Sequence, residues 1–167
     1  MPKIEVFTSN YQDLVTEHIL SIENDEFKLN LTLDEQSDLI DIRLAYQSTG
    51  GQFWVAVEKS LVLGTIGLFN LGNGDADLRK MFVTSEYRGE NAKLGQRLLD
   101  TAMVWARQQN YQRIFLETSS TFAAAIRFYE KNGFKSITQE ELPKSFPIIR
   151  VAEQFYLNDL SLSERKN

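Results

Sequence analysis

The spacing of apolar residues changes several times along the chain, and each change predicts the boundary of an element. A short apolar run from Ile4 to Phe7 is typical of a strand. Apolar residues then recur at helical spacing from Tyr11 to about Phe27. Thr32 followed by Glu35 is a capping-box pattern, which predicts a second helix that runs to about Leu44.

The middle of the chain predicts an antiparallel meander. Its three strand candidates run from Phe53 to Val57, from Leu61 to Leu71 and from Asp77 to Val83. The short turn Glu58-Lys59-Ser60 joins the first two. Asn73-Gly74, a strong hairpin signal, precedes the third.

Helices and strands alternate in the last part of the chain. The predicted elements are a helix from Leu94 to about Gln109, a strand from Arg113 to Glu117, a helix from Phe122 to Asn132, and strands from Phe134 to Thr138 and from Val151 to Leu157. The strand–helix–strand unit at 77–117 requires a right-handed parallel crossover if both strands share a sheet. We therefore predict an α/β fold with a mixed sheet of about seven strands flanked by about four helices. We expect a single domain over residues 1–167, with a frayed tail at 158–167.

Composition excludes several kinds of chemistry. The 167 residues include no cysteine, and His18 is the only histidine, so disulfides, thiol nucleophiles and multi-histidine metal sites are excluded and we expect no metal. A net charge of -5 argues against a nucleic-acid partner. The N-terminus lacks a signal-peptide pattern and no apolar run is long enough to span a membrane, so we expect a cytoplasmic protein without a membrane partner.

One candidate binding site lies where the strand ending at Val83 leads into the helix at Leu94. The start of a helix presents free N–H groups and the positive end of the helix dipole, which suits a pyrophosphate. Arg88 offers a charge-assisted bond to a phosphate, and Gly89 and Gly95 would allow close approach. These residues alone equally fit an ordinary surface loop.

A second candidate site combines a strand that ends in Glu117 with a helix that carries Tyr129. A single tyrosine in a helix most often fills the interface between helix and sheet. This stretch, taken alone, therefore does not indicate catalysis.

Together the two stretches resemble the GNAT acetyltransferase family. The segments KMFV, YRG and LGQRLL resemble its acetyl-CoA-binding motif, and AAAIRFYEKNGF resembles the motif that follows. The resemblance covers roughly residues 77–139. It implies the GNAT acyl-CoA N-acyltransferase fold and an acyltransferase that moves acetyl directly from acetyl-CoA to a small-molecule or peptide amine. Homodimers are common in the family, so a homodimer is compatible with the resemblance.

The resemblance also implies how acetyl-CoA would be held. The backbone of Met81, Phe82 and Val83 would bind the pantetheine arm, and a strand N–H would polarise the thioester carbonyl. The loop and helix start would bind the pyrophosphate through Arg88, Gly89, Asn91, Ala92, Lys93, Leu94, Gly95 and Gln96. The sequence departs from the family pattern at Lys93, which replaces a glycine, and at Phe122, where the family often has asparagine.

Catalysis requires a base and an acid. An alkylamine with a pKa of about 10.4 arrives protonated, so a base must remove a proton before attack. Glu117 is the first candidate, Asp77 the second, and a water chain the third. By resemblance, Tyr129 contacts the cofactor and donates a proton to the leaving CoA thiolate.

The acceptor is not identified by the sequence. Further candidates for its recognition are His18, Glu23, Glu26, Phe27, Arg150, Phe155 and Tyr156. One alternative to an enzyme is a GNAT-fold sensor or interaction module that binds acetyl-CoA without transfer. Another is an α/β domain that binds no CoA and serves only protein–protein contact.

Overall fold

Seven strands form a mixed sheet in the computed structural model, which describes residues 1–89, 92–147 and 153–164. The strands are β1 Lys3–Val6, β2 Gln52–Glu58, β3 Leu61–Gly72, β4 Asp75–Val83, β5 Arg113–Thr118, β6 Lys135–Ile137 and β7 Gln154–Asp159. Their hydrogen-bonded order is β1-β2-β3-β4-β5-β7-β6. The predicted α/β class and the mixed sheet of seven strands are confirmed.

Five α-helices occur among the described residues, against about four predicted. They are α1 Gln12–Ser21, α2 Ser37–Ile40, α3 Leu94–Gln108, α4 Ala123–Lys131 and α5 Leu160–Glu164. Wider π-helical turns are formed by Ile22–Glu26 and Arg43–Gln47, and 3₁₀ turns by Ser9–Tyr11, Ser85–Tyr87 and Gln139–Glu141.

Two tight turns and one parallel pairing fix the order of the strands. Lys59 and Ser60, with φ of 51° and 65°, turn β2 into β3, and Asn73 and Gly74, with φ of 57° and 82°, turn β3 into β4. Two consecutive left-handed residues are the pattern of a type I′ hairpin turn, which matches the twist of the strands it joins. β4 pairs in parallel with β5, as predicted, in a register from Asp75↔Arg113 to Asp77↔Phe115.

Backbone contacts divide the chain into two compact units, so the prediction of one domain stays a prediction. The first unit contains Met1–Phe69 and Arg79–Trp105. One face of its strands packs on the α1–α2 region, where the Phe53 ring lies 5.6 Å from Phe7 and 5.1 Å from Tyr46. The other face packs on α3, where the Trp54 and Trp105 rings are 5.5 Å apart. Helices thus cover both faces of these strands.

The second unit contains Asn70–Leu78 and Ala106–Asn167. On one face of β5 and β7, the Phe146 ring lies 6.4 Å from both Phe115 and Phe155. On the other face, Asn158 Nδ2 donates a 3.2 Å hydrogen bond to the Asn132 carbonyl at the end of α4. A loop therefore covers one side of this part of the sheet and α4 the other.

The prediction of a continuous second helix to Leu44 is wrong. The capping-box contacts between Thr32 and Glu35 form, but they close a turn, and α2 begins only at Ser37. Asp41 is then extended, with φ of −143°, and interrupts the helix. The Gln12 side chain forms hydrogen bonds with the backbone groups at this interruption. Its Nε2 donates to the carbonyls of Leu39 at 2.6 Å and Ile40 at 3.3 Å, and its Oε1 accepts from the Ile42 N–H at 3.1 Å.

The expectation of a frayed tail from residue 158 is also wrong for its first residues. Asn158 and Asp159 belong to β7, and α5 follows at once. The Leu160 side chain is buried, and its N–H donates to the Gln112 carbonyl at 2.8 Å. This apolar anchor lies within a polar stretch, where composition alone favours disorder. Residues 151, 152 and 165–167 lie outside the described part of the chain.

Replacement of Gln12 tests whether one amide holds the interrupted helix. We expect Gln12→Ala to lower the free energy of unfolding by about 1 kcal/mol, because partly buried backbone groups lose their partners. Urea denaturation followed by circular dichroism measures the change, with Gln108→Ala at the exposed end of α3 as the control. Equal stability of the two variants would contradict this role of Gln12.

Candidate functional site

The last residues of β4 are tied to the helices and to the loop that follows. His18 Nε2 on α1 lies 3.4 Å from the Phe82 carbonyl oxygen, and Arg88 Nε donates a 2.7 Å hydrogen bond to the Val83 carbonyl. Burial lowers the pKa of His18, and the Arg88 charge acts in the same direction, against the hydrogen bond to Phe82. A neutral His18 ring that donates from Nε2 fits this contact. The predicted cofactor strand is therefore held on its carbonyl side.

Arg88 binds a carboxylate in this structure. Both terminal nitrogens donate to Glu26, through an Nη1–Oε2 contact and through Nη2–Oε1 at 2.8 Å. The guanidinium carbon also lies 5.6 Å from the centre of the Phe27 ring. The bond from Arg88 lowers the pKa of Glu26, so this carboxylate stays ionised. A phosphate could bind Arg88 only by replacing or sharing Glu26.

The loop and the start of α3 keep a backbone shape that glycine favours. Gly89 has φ of 90°, and Lys93, at the position where the family pattern has glycine, has φ of 52°. The Lys93 N–H donates to the Gly89 carbonyl at 3.1 Å, and the Lys93 carbonyl accepts from the Arg97 N–H at 3.0 Å. Lys93 therefore keeps the left-handed turn at the energetic cost that a side chain brings.

The other residues predicted to bind the pyrophosphate lie next to this turn and differ in burial. Leu94 is buried and anchors the helix, whereas Ala92, Gly95 and Gln96 are half-buried. The Gln96 side chain donates a hydrogen bond to Asp100 Oδ1 at 2.8 Å. Asn91 lies outside the described residues.

Lys80 is a residue of this region that the sequence did not indicate. It stands inside β4 with φ of 56°, a left-handed conformation that side chains rarely adopt. Its carbonyl accepts a 2.7 Å hydrogen bond from the buried Thr65 hydroxyl. No local sequence signal marks a lysine for this geometry, because the neighbouring residues predict an ordinary strand.

The Lys80 side chain enters a polar network beneath the helices. Lys80 Nζ donates to Gln36 Oε1 at 2.5 Å and lies 3.8 Å from Asp38 Oδ1. Gln36 Nε2 donates to Glu23 Oε1 at 2.8 Å, and the Tyr46 hydroxyl donates to Asp38 Oδ2 at 2.5 Å. Burial raises the pKa of Glu23, and Asp38 acts in the same direction, against the hydrogen bond from Gln36 and the Lys80 charge.

Tyr129 of the second unit is a buried phenol on α4. Its ring lies 5.7 Å from the ring of Phe134 and 5.6 Å from that of Phe128. Burial raises the pKa of Tyr129 well above its ordinary value. The phenol therefore stays protonated at neutral pH and can donate a hydrogen bond, but it is a weaker acid than an exposed tyrosine.

Glu117 and Asp77 share one face of the sheet. Asp77 is in register with Phe115, and Glu117 is two residues further along β5, so all three side chains point to the same side. This is the face that Phe146 covers, whereas the end of α4 packs against Asn158 on the other face. Asp77 is buried and Glu117 is half-buried. The two candidate bases thus belong to the face opposite the helix that carries Tyr129.

The remaining acceptor candidates have different surroundings. Phe27 is exposed beside Arg88, whereas Phe155 and Tyr156 are buried in β7. Arg150 lies outside the described residues. Within the described ranges, no group of three His, Cys, Asp or Glu side chains is arranged to hold a metal ion. No helix in the same ranges is both long and apolar enough to cross a membrane.

Comparisons with known proteins identify relatives over much of the chain. A family model described as an acetyltransferase (GNAT) domain matches residues 49–136. The probable N-acetyltransferase family 8 member 5 of Mus musculus is 36% identical over 105 residues, which are 60% of this chain and 45% of that protein. The chain spans about half the length of the curated relatives it matches.

Solved structures extend the similarity to nearly the whole chain. An acetyltransferase of the GNAT family from Staphylococcus aureus is 39% identical, with a TM-score of 0.91, over 96% of this chain and 99% of that one. The PaiA N-acetyltransferase of Thermoplasma acidophilum, solved in complex with coenzyme A, has a TM-score of 0.70 at 17% identity, over 95% of this chain and 99% of that one. At 17% identity the similarity concerns the fold.

The left-handed turn at Lys93 can be tested with a pair of substitutions. We expect Lys93→Gly to be more stable than Lys93→Ala by about 0.5–1 kcal/mol, because only glycine adopts a positive φ without steric cost. Urea denaturation measures both. The same pair at the exposed helical Val104 is the control, and there the alanine variant should be the more stable. An alanine advantage at both positions would contradict the assigned backbone of Lys93.

Proposed function

The chain belongs to the GNAT acetyltransferase family, and from this membership we propose that it transfers the acetyl group of acetyl-CoA to an amine. The observation that carries the proposal is the end of β4 followed by a left-handed turn at the start of α3. This turn is kept at Lys93 although glycine is absent there. The acceptor is a small molecule or a peptide with a free amine.

Acetyl-CoA would be bound mainly through the backbone. The pantetheine arm would lie along Met81–Val83, with one strand N–H directed at the thioester oxygen. The pyrophosphate would bind N–H groups of the first turn of α3, which have no partner within the helix. Because these contacts come from the main chain, they tolerate the side-chain departures at Lys93 and Phe122.

Arg88 contributes to phosphate binding only after it leaves Glu26. Both side chains of the pair are just over a third exposed, so the ion pair is worth about 0–1 kcal/mol at most. A pyrophosphate carries more charge than one carboxylate and can compete for the same guanidinium. We therefore expect an exchange of partners when the cofactor binds.

The transfer itself is a balanced acyl exchange. The amine nitrogen forms a bond to the thioester carbon, the carbon–sulfur bond breaks, and the products are an N-acetylated amine and CoA. A base takes the proton of the ammonium, and the thiolate takes one in return. We assign Tyr129 as the hydrogen-bond donor to the sulfur. Glu117, with Asp77 beside it on the same face, is our candidate to accept the amine proton.

The second candidate function is a protein that binds acetyl-CoA without transfer. Two observations favour it: Arg88 is engaged by Glu26, and burial of Tyr129 weakens its phenol as an acid. Release of CoA in the presence of amines separates the two functions, since only the enzyme forms free thiol beyond the rate of spontaneous hydrolysis.

The partner exchange at Arg88 predicts opposite effects of two substitutions on acetyl-CoA binding. Arg88→Ala should weaken binding about tenfold, because a charge-assisted bond to phosphate is lost. Glu26→Gln should tighten it up to about fivefold, because the guanidinium no longer has to leave an ion pair.

Isothermal titration with acetyl-CoA measures these affinities. Glu17→Gln is the control, because it makes the same charge change at an exposed position of α1. Weaker binding in both Arg88→Ala and Glu26→Gln would show that the intact pair, rather than a released arginine, serves the cofactor.

The role of Tyr129 is tested by its hydroxyl alone. We expect Tyr129→Phe to lower kcat on the order of 10²-fold without changing the affinity for acetyl-CoA, because only the transition state needs the donor. Thiol release is measured with a panel of diamines, amino acids and peptides, and Tyr111→Phe, in the same unit, is the control. An unchanged kcat together with unchanged cofactor binding would remove Tyr129 from the mechanism.

A further inference from the structure

The left-handed conformation of Lys80 needs support that the local sequence does not supply. With φ of 56° inside a strand, Lys80 departs from the extended backbone of an ordinary strand immediately before Met81. A lysine adopts this conformation at a steric cost, so it persists only when surrounding contacts fix it. Met81 begins the segment that the proposed function assigns to acetyl-CoA.

Contacts hold Lys80 at both ends. The Thr65 hydroxyl donates to its carbonyl at 2.7 Å, and Thr65 is fully buried on the neighbouring strand. At the other end, Nζ donates to Gln36 Oε1 at 2.5 Å, and Asp38 lies 3.8 Å away. The Lys80 side chain is 15% exposed, so water screens these contacts little.

The Gln36 amide can satisfy its two neighbours in only one orientation. Its oxygen must face the Lys80 ammonium, and its nitrogen must face the carboxylate of Glu23, 2.8 Å away. Glu23 and Gln36 are both buried, and Asp38 is fixed in turn by the Tyr46 hydroxyl. The network therefore has one arrangement, which transmits the position of the helices to one peptide of β4.

We propose that Lys80 is a positioning residue: the network of Glu23, Gln36, Asp38, Tyr46 and Thr65 holds it left-handed, and this sets the Met81 backbone for the acetyl thioester. The inference rests on the proposed function, because it assumes that β4 binds acetyl-CoA. It assigns the helices beneath β4 a part in cofactor recognition.

The test compares acetyl-CoA with CoA, because only acetyl-CoA carries the thioester carbonyl. Isothermal titration of the full chain gives both affinities for the wild type, Lys80→Met and Lys80→Gly. We expect Lys80→Met to lower the affinity for acetyl-CoA about tenfold and that for CoA much less, because a tenfold loss corresponds to one lost hydrogen bond to a polarised carbonyl. Lys80→Gly should recover part of the loss, since glycine adopts a positive φ freely.

Lys59 provides the matched control. It is an exposed lysine with φ of 51° in the β2–β3 turn, so Lys59→Met and Lys59→Gly repeat both changes at a left-handed position outside the network. Neither should alter the preference for acetyl-CoA over CoA. Thr65→Val removes the carbonyl contact while keeping the lysine, and should reduce the same preference even if Lys80→Met folds poorly.

Three outcomes would overturn the inference. If the wild type binds acetyl-CoA and both Lys80→Met and Thr65→Val keep its preference over CoA, positioning by Lys80 is wrong while the proposed function stands. If these variants lose both ligands equally, Lys80 only stabilises the fold. If the wild type binds neither ligand, the proposed function fails and this inference fails with it.

Discussion

The first unit depends on the contacts that hold β4 at Lys80, where the strand departs from regular geometry. β4 carries a lysine in a left-handed conformation, and its carbonyl and its ammonium are fixed by groups on β3 and in the α2 region. Such a conformation is unfavourable for any residue with a side chain, so the buried contacts around it must outweigh that cost. The same strand ends in carbonyls that face His18 and Arg88. The proposed cofactor strand is thus held from three sides, by β3, by the helical region of α1 and α2, and by the loop that follows the strand.

The charged and titratable groups assigned to the proposed reaction have different surroundings in the two units. In the first unit, Arg88 is paired with Glu26, and the largely buried Lys80 ammonium lies close to the Asp38 carboxylate. Both cations therefore already have a carboxylate nearby. In the second unit, burial keeps Tyr129 protonated, and the candidate bases Glu117 and Asp77 lie on the opposite face from α4.

Much of the fold could be predicted because its signals are local. The type I′ turns at Lys59-Ser60 and Asn73-Gly74, the apolar face of α3 and the crossover from β4 to β5 follow from short spacings, and the family motif located the loop before α3. The missed features are side-chain contacts between distant residues. Gln12 bonds the backbone at a helix interruption 27 to 30 residues away, and Arg88 pairs with Glu26 across 62 residues. Periodicity carries no information about such pairs, so it could not predict the conformation of Lys80 or its contacts.

The central claim is that this chain moves an acetyl group from CoA to nitrogen. Its most direct test is incubation of the protein with acetyl-CoA labelled with ¹³C in the acetyl group and a panel of amines, followed by mass spectrometry of the amines. We expect at least one amine to gain the labelled acetyl group, in a yield equal to the CoA released. Labelled acetate as the sole product, at the rate of the protein-free control, would contradict it.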